Sequence, residues 1–242
     1  MKQFKTLTAL LLILVLTLTF TPIQADTTST PVSITIVHTN DTHSRVDASK
    51  TEIGFGTIAT LLGDMKAKNP NTLMVDVGDA FHGQTFATLT RGGSIVNLFN
   101  LVGYDVMTPG NHDFNYGQDR LLELKNLAKF PIISSNIKKA DGSNFLEPYV
   151  IKTVGGVKIA FCALTTPETA YKTNPLNVNG LTFKDPVAVA KEMVTLLEPQ
   201  ADVIVCVSHL GLDASSNVTS KIVAGQVNGI DVIIDGNSHT VR

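Results

Sequence analysis

The sequence predicts an α/β fold, a largely parallel core arranged as two sheets with helices outside. Three observations carry that prediction. From Ser33 onward, short β-branched runs alternate with amphipathic stretches of helical period, the pattern of crossover units. Five of the runs lead into polar turns, as strands do when their carboxyl ends face a ligand in an open sheet. One Gly-Gly pair, Gly155-Gly156, joins two apolar runs as a hairpin and adds some antiparallel pairing. A chain of 242 residues can bury a good core as one domain or a large part of one.

In chain order, Ile34–Val37 reads as a strand leading into the polar stretch His38–His43. Gly56–Lys68 has apolar residues at helical spacing (Ile58, Leu61, Leu62, Met65) and stops at Asn69-Pro70. Thr72–Val77 is a strand, Gly78-Asp79 its turn, and Ser94–Val102 a helix with Ser94 as candidate N-cap. Tyr104–Met107 is a buried strand, broken by Pro109 and Gly110 into a tight turn that presents Asn111 and His112. Gln118–Lys129 reads as a helix and Pro131–Ser134 as a strand, and residues 140–148 relax into a loop. The hairpin Tyr149–Leu164 follows. Asp185–Leu197 is a helix with Asp185 and Pro186 suited to N-cap and N1. Val203–Val207 is a strand leading to His209, Ser216–Gln226 a helix, and Ile230–Ile234 the last strand, leading to Asp235–His239.

Residues 1–25 read as an export leader. Lys2 and Lys5 precede an apolar run, Leu7–Phe20, and Ala25 offers a small residue for cleavage. The run is short for a membrane span, which needs ~20 residues, and nothing later is long enough, so the expectation is an exported protein. The remaining domain is 26–242. The formal charge of −2 falls further with loss of Lys2 and Lys5. A mildly acidic chain without Lys/Arg clusters argues against a nucleic-acid polymer or a membrane surface as partner. Cys162 and Cys206 sit in apolar runs and read as inert core thiols, with a bridge open to them if their strands are neighbours.

The chemistry lies in the five strand-end turns: Asp41-Thr-His43, Gly78-Asp79, Gly110-Asn-His112, Ser208-His209 and Gly236-Asn-Ser-His239. A lone Asp after a strand is usually a cap, and a lone His there usually a hydrogen-bonded loop residue; His38 and His82 are read that way. Five such turns aimed at one edge are a different matter. Carboxylate, imidazole and amide oxygen form the mixed O/N set that suits Zn, Mn, Fe or Co. Metals would also supply the positive charge that an acidic chain lacks for an anionic substrate. No Walker or Rossmann glycine loop is present to bind phosphate instead.

These turns resemble the calcineurin-like metallophosphoesterases, whose signature is Asp-x-His, Gly-Asp, Gly-Asn-His-Asp/Glu, a lone His after a strand and Gly-His-x-His in that order. Val37–His43, Asp76–Asp79 and Gly110–Gly117 look more narrowly like secreted bacterial 5′-nucleotidases, a group that includes UDP-sugar hydrolases and 2′,3′-cyclic-nucleotide phosphodiesterases. The resemblance implies a two-sheet α/β/β/α sandwich and two divalent ions. Asp41, His43, Asp79 and His239 would hold one; Asp79, Asn111, His209 and Asn237 the other. His112 would be catalytic, stabilising the phosphoryl oxygens or protonating the leaving alkoxide. A metal-bound hydroxide would attack a nucleotide phosphate monoester in line.

Three departures stand out. Asn237 replaces a His found in many members, and an amide oxygen is the weaker ligand, by ~10–100-fold on the scale of altered supporting groups. Asn115 stands where some 5′-nucleotidases have an Asp paired with the catalytic His, which tilts the reading toward relatives that act on cyclic nucleotides or 3′-phosphates. The chain stops at Arg242, where the family continues into a domain that stacks on the nucleobase, so a fold incomplete at its C-terminus is expected. The rival readings are therefore a cyclic-nucleotide phosphodiesterase, a UDP-sugar hydrolase, or an impaired metal-binding fragment.

Overall fold

The computed structural model describes residues 31–240, so the expected export leader lies outside the described residues. Strands β1 (Thr35–Thr39), β2 (Thr72–Asp76) and β3 (Val106–Met107) pair in parallel in that order. A short strand β4 (Ile137–Lys138) precedes the hairpin β5 (Tyr149–Val154) and β6 (Val157–Thr165). Strand β7 (Thr182–Phe183) pairs antiparallel with β4. Strands β8 (Val203–His209) and β9 (Val232–Asp235) complete a second sheet in the order β5-β6-β8-β9, parallel except for the hairpin. Gly155 and Gly156 both have positive φ, as the tight hairpin turn demands.

Helices α1 (Phe55–Lys68), α2 (Thr85–Thr88), α3 (Gly93–Val102) and α4 (Gln118–Leu127) belong to the first half of the chain. Helices α5 (Thr169–Lys172), α6 (Pro186–Leu197) and α7 (Ser220–Gln226) belong to the second. Period-2 alternation decides how they layer. On β2, Met74 packs with Phe55, Phe99 and Leu121 from the helices, while Leu73 and Val75, with Val77 just past the strand, meet Phe161, Val205 and Val207 of the second sheet. On the far side Ala160, Leu164 and Cys206 pack against Val194 and Leu197 of α6 and Val223 of α7. The result is the four-layer α/β/β/α sandwich that the resemblance implies.

Several local expectations change. Ser94 is not an N-cap: Gly92, in the left-handed region, opens α3, and the Ser94 hydroxyl donates to the Phe86 carbonyl. Pro131–Ser134 forms only isolated bridges, Ile132 with Met107 and Ile133 with Glu147. Helix α1 buries Phe55 and Leu62, whereas Leu61 and Met65 are exposed, so its apolar stripe is narrower than its sequence suggests. Asp185 does cap α6, accepting from Ala188 N at 2.7 Å, and Pro186 opens the helix. Cys162 and Cys206 are register partners on β6 and β8, both buried and both free thiols.

Candidate metal centre

The parallel strands of both sheets end at the same edge, and their turns carry the expected residues. Asp41 and His43 follow β1, Asp79 follows β2, and Asn111 and His112 follow β3. His209 ends β8, and Asn237 and His239 follow β9. Donor atoms of Asp41, Asp79 and His209 lie within 4.8 Å of one another, as do those of Asp41, His43 and His239. Asp41 belongs to both groups. Within them, His209 Nε2 is 3.2 Å from Asp79 Oδ2, His239 Nε2 is 3.5 Å from Asp41 Oδ1, and His43 Nε2 is 3.2 Å from His239 Nε2.

The turns need unusual backbone to do this. Among the described residues, the non-glycine residues with positive φ are Asp41, His43, Ser44, Asp79, Arg91, Asn237 and His239. Five of those seven are expected ligands. Asp, Asn and His tolerate the left-handed region better than most residues, and such conformations gather at functional sites because surrounding contacts enforce them. The enforcing contacts are visible. Asp113, wholly buried, accepts from Asp79 N and Gly110 N through Oδ2 and from Ala80 N and Phe81 N through Oδ1, at 2.8–3.0 Å. It ties the β2 and β3 turns together. Asp41 accepts from Asn237 N at 2.9 Å, joining the β1 and β9 turns. Gly78 and Gly110 allow the closest approach. A Cβ on Gly110 would sit 2.2 Å from Asp79 Oδ1, and one on Gly78, whose φ is +100°, 2.4 Å from Gly110 N.

Electrostatics and hydrogen bonding prepare individual donors. His209 Nδ1 donates to the Val77 carbonyl at 2.6 Å, which fixes the tautomer and turns Nε2 toward the carboxylates. Burial alone would lower the His209 pKa, but Asp79, Asp41 and the Val77 carbonyl raise it to about 9. Burial lowers the His43 pKa, against the pull of Asp79, and so favours the neutral imidazole that a metal needs. Asn111 Oδ1 is buried with no hydrogen-bond partner, and the buried His209 Nε2 faces only the Asp79 carboxylate, 3.2 Å away. Buried polar atoms without partners are rare and call for an explanation. A divalent cation in contact with both supplies one, so the donor set fits the metals that the sequence implies.

Two expected residues sit differently from the rest. The Asn237 side chain donates from Nδ2 to the Leu210 carbonyl at 3.1 Å, leaving only its Oδ1 available as a ligand atom. His112 lies outside both donor groups. Its backbone N–H donates to Asp79 Oδ1 at 2.7 Å, and its ring meets His43 edge-on with centroids 5.2 Å apart. Its Nδ1 is 2.9 Å from Asn115 Nδ2, and the same nitrogen is 3.1 Å from His82 Nδ1. His82 is a hydrogen-bonded loop residue, as its sequence position suggests, but its partner is the amide that also meets His112. Asp41 and His239 also border an open cavity of about 720 Å³, with Arg45 on its wall.

The family description that matches this chain is the calcineurin-like phosphoesterase, over residues 34–241. A 5′-nucleotidase of Bos taurus is 33% identical over 229 residues, covering 87% of this chain and 38% of its own length. The chain thus spans well under half of the curated relatives it matches. A calcineurin-like phosphoesterase structure from Bacillus subtilis superposes with a TM-score of 0.77 at 30% identity, covering 86% of this chain and 73% of that one. A 5′-nucleotidase precursor from Thermus thermophilus superposes with a TM-score of 0.78 at 29% identity, covering 86% of this chain and 42% of that one.

Proposed function

This chain belongs to the calcineurin-like phosphoesterase family, and on that premise we propose that it is the catalytic part of a two-metal 5′-nucleotidase, hydrolysing nucleotide phosphate monoesters. The observation that carries the reading is the buried, unpartnered Asn111 Oδ1 together with the buried His209 Nε2, which faces the Asp79 carboxylate 3.2 Å away. One ion would be held by Asp41, His43, Asp79 and His239, the other by Asp79, Asn111, His209 and Asn237, with Zn, Mn, Co or Fe all suited to such ligands. When bound, two such ions clamp the oxygens of a displacement at phosphorus and activate water. The protein's own part is positioning. Asp113 holds the Asp79 and Asn111 turns in register, and Asp79 is fixed by the His112 backbone N–H. His112, which belongs to neither donor group, is free to contact the phosphoryl oxygens, where charge builds up in the transition state.

Asn115 favours a second reading on the same site. An amide beside His112 does not stabilise imidazolium as a carboxylate would, which suits 2′,3′-cyclic-nucleotide or 3′-phosphate substrates. UDP-sugars remain a third substrate for the same centre. Export, a nucleotide partner and the absence of a nucleic-acid polymer partner belong to the same proposal; among the described residues no helix is long and apolar enough to cross a membrane.

The test is metal content per chain together with turnover of AMP, 2′,3′-cyclic AMP and bis(p-nitrophenyl) phosphate on one sample. Two ions per chain with AMP preferred supports the 5′-nucleotidase reading, and a preference for the diesters supports the second. Asp79→Ala should lose both ions and all turnover. Two bound ions with no phosphoester hydrolysis would reduce the domain to an impaired metal-binding fragment.

A further inference from the structure

Asn115 stands between two imidazoles. Its Nδ2 is 2.9 Å from Nδ1 of His112 and 3.1 Å from Nδ1 of His82. The two rings lie within 9° of parallel with centroids 6.2 Å apart. A primary amide nitrogen has two hydrogens and no acceptor capacity. If both go to the histidines, both Nδ1 atoms are acceptors, and both rings are neutral with the proton on Nε2. The amide's own orientation is held from the other side: Thr173 Oγ1, on a buried residue, donates to Asn115 Oδ1 at 2.9 Å, and Asn177 Nδ2 donates to the Asn115 backbone carbonyl at 3.0 Å. The histidines, in turn, belong to a row of rings that starts at the metal centre: His239 on His43, His43 against His112, His112 beside His82, and His82 against Tyr116.

We propose that Asn115 is a positioning residue that fixes His112 and His82 as a matched pair of neutral Nε2–H donors, and that His82 is a second donor to the substrate's phosphoryl oxygens. The inference rests on the phosphoesterase reading and narrows it. An imidazolium carries hydrogens on both nitrogens and cannot face an amide N–H. In the neutral tautomer His112 meets the phosphoryl oxygens through Nε2–H. His82 lies thirty residues before His112 in sequence and three after Asp79, and the Asn115 amide and the parallel rings set it beside His112.

The test uses the Zn-loaded chain with ¹⁵N-labelled histidine, its six histidines assigned through single variants. The clamp requires bare Nδ1 and protonated Nε2 on both His82 and His112. Asn115→Asp, whose carboxylate only accepts, should move the proton to Nδ1 on both rings. A wild-type signal with Nδ1 protonated on either ring would mean the amide faces the other way and would overturn the clamp. The second arm is kinetic, with bis(p-nitrophenyl) phosphate and p-nitrophenyl phosphate as substrates. His82→Ala should lower kcat by about 10²-fold with KM changed less than threefold, the pattern of a contact made in the transition state. His82→Gln, which offers one acceptor and one donor as neutral imidazole does, should restore most of the rate. Unchanged kcat in His82→Ala removes His82 from the substrate. If the wild-type chain turns over neither ester, the phosphoesterase reading fails, while the nitrogen spectra still decide the clamp.

Discussion

At the scale of single residues, buried acids outside the two donor groups surround the site, and Asp76 is the sharpest case. It is wholly buried, accepts from Thr39 Oγ1 at 2.7 Å and from Gly78 N at 2.9 Å, and shares Thr39 with the Tyr104 hydroxyl. Burial pushes its carboxyl well above the ordinary aspartate range, with Asp113 adding to the rise and the two hydrogen bonds opposing it. A carboxyl whose folded pKa is raised favours the neutral form. Its contribution to stability is then complete below the unfolded value of about 4 and is lost as pH rises above it. Asp76→Asn keeps an acceptor for Gly78 N and does not titrate. With chelator present, the stability of wild type relative to Asp76→Asn should fall as pH climbs from about 4 toward neutrality, measured by urea unfolding. Parallel curves would mean that Asp76 is as ionised in the fold as out of it. Asn237 belongs at this scale too. Its Nδ2 is committed to the Leu210 carbonyl, so only Oδ1 is left to serve an ion.

At the scale of elements, the centre is a set of interlocked strand-end turns, and Asp113 is their clasp. Replacing it with Asn would set an NH₂ group against two backbone N–H donors. Two charge-assisted bonds would be lost and one buried end left unsatisfied, at a cost of about 3 kcal/mol. Asp113→Asn should lower the urea midpoint accordingly and weaken metal binding, since both the Asp79 and Asn111 turns hang on it; an unchanged midpoint would show that the turns hold without it. Much at this scale was legible beforehand. The Asp41, Asp79, Asn111, His209 and His239 turns carry recognisable spacings because each motif is local, and the Gly155-Gly156 hairpin and the Asp185 cap are local as well. What was hidden is what depends on partners far along the chain. The β4–β7 ribbon joins two-residue strands with no period of their own. Pro131–Ser134 has a strand's composition but finds only single bridges. The link from His82 through Asn115 to His112 joins separate turns, and only the Asn115–His112 spacing could have hinted at it.

At the scale of the molecule, the centre straddles the seam between the two sheets. Asp41, Asp79 and Asn111 come from the ends of β1, β2 and β3 in the first sheet; His209, Asn237 and His239 come from β8 and β9 in the second. Protein contacts already cross there: His209 Nδ1 to the Val77 carbonyl, Asn237 N to Asp41, and Thr165 Oγ1 to the Pro109 carbonyl at 2.9 Å. An ion held by donors from both sheets would bind the folded sandwich and not its separated halves. At a free ion concentration a thousandfold above Kd, such binding adds about 4 kcal/mol of stability. For a domain of this size that is on the order of 10 °C in Tm. The chelator-stripped chain should therefore unfold in one transition that moves upward by roughly that amount when Zn or Mn is restored. The sharper expectation concerns which residues the increment needs. If the ions bridge the sheets, Asp79→Ala from one and His209→Ala from the other should each abolish most of it. If His209→Ala leaves the increment intact, β8 does not hold the ions, and any bridge to the second sheet runs through Asn237 and His239 after β9 alone.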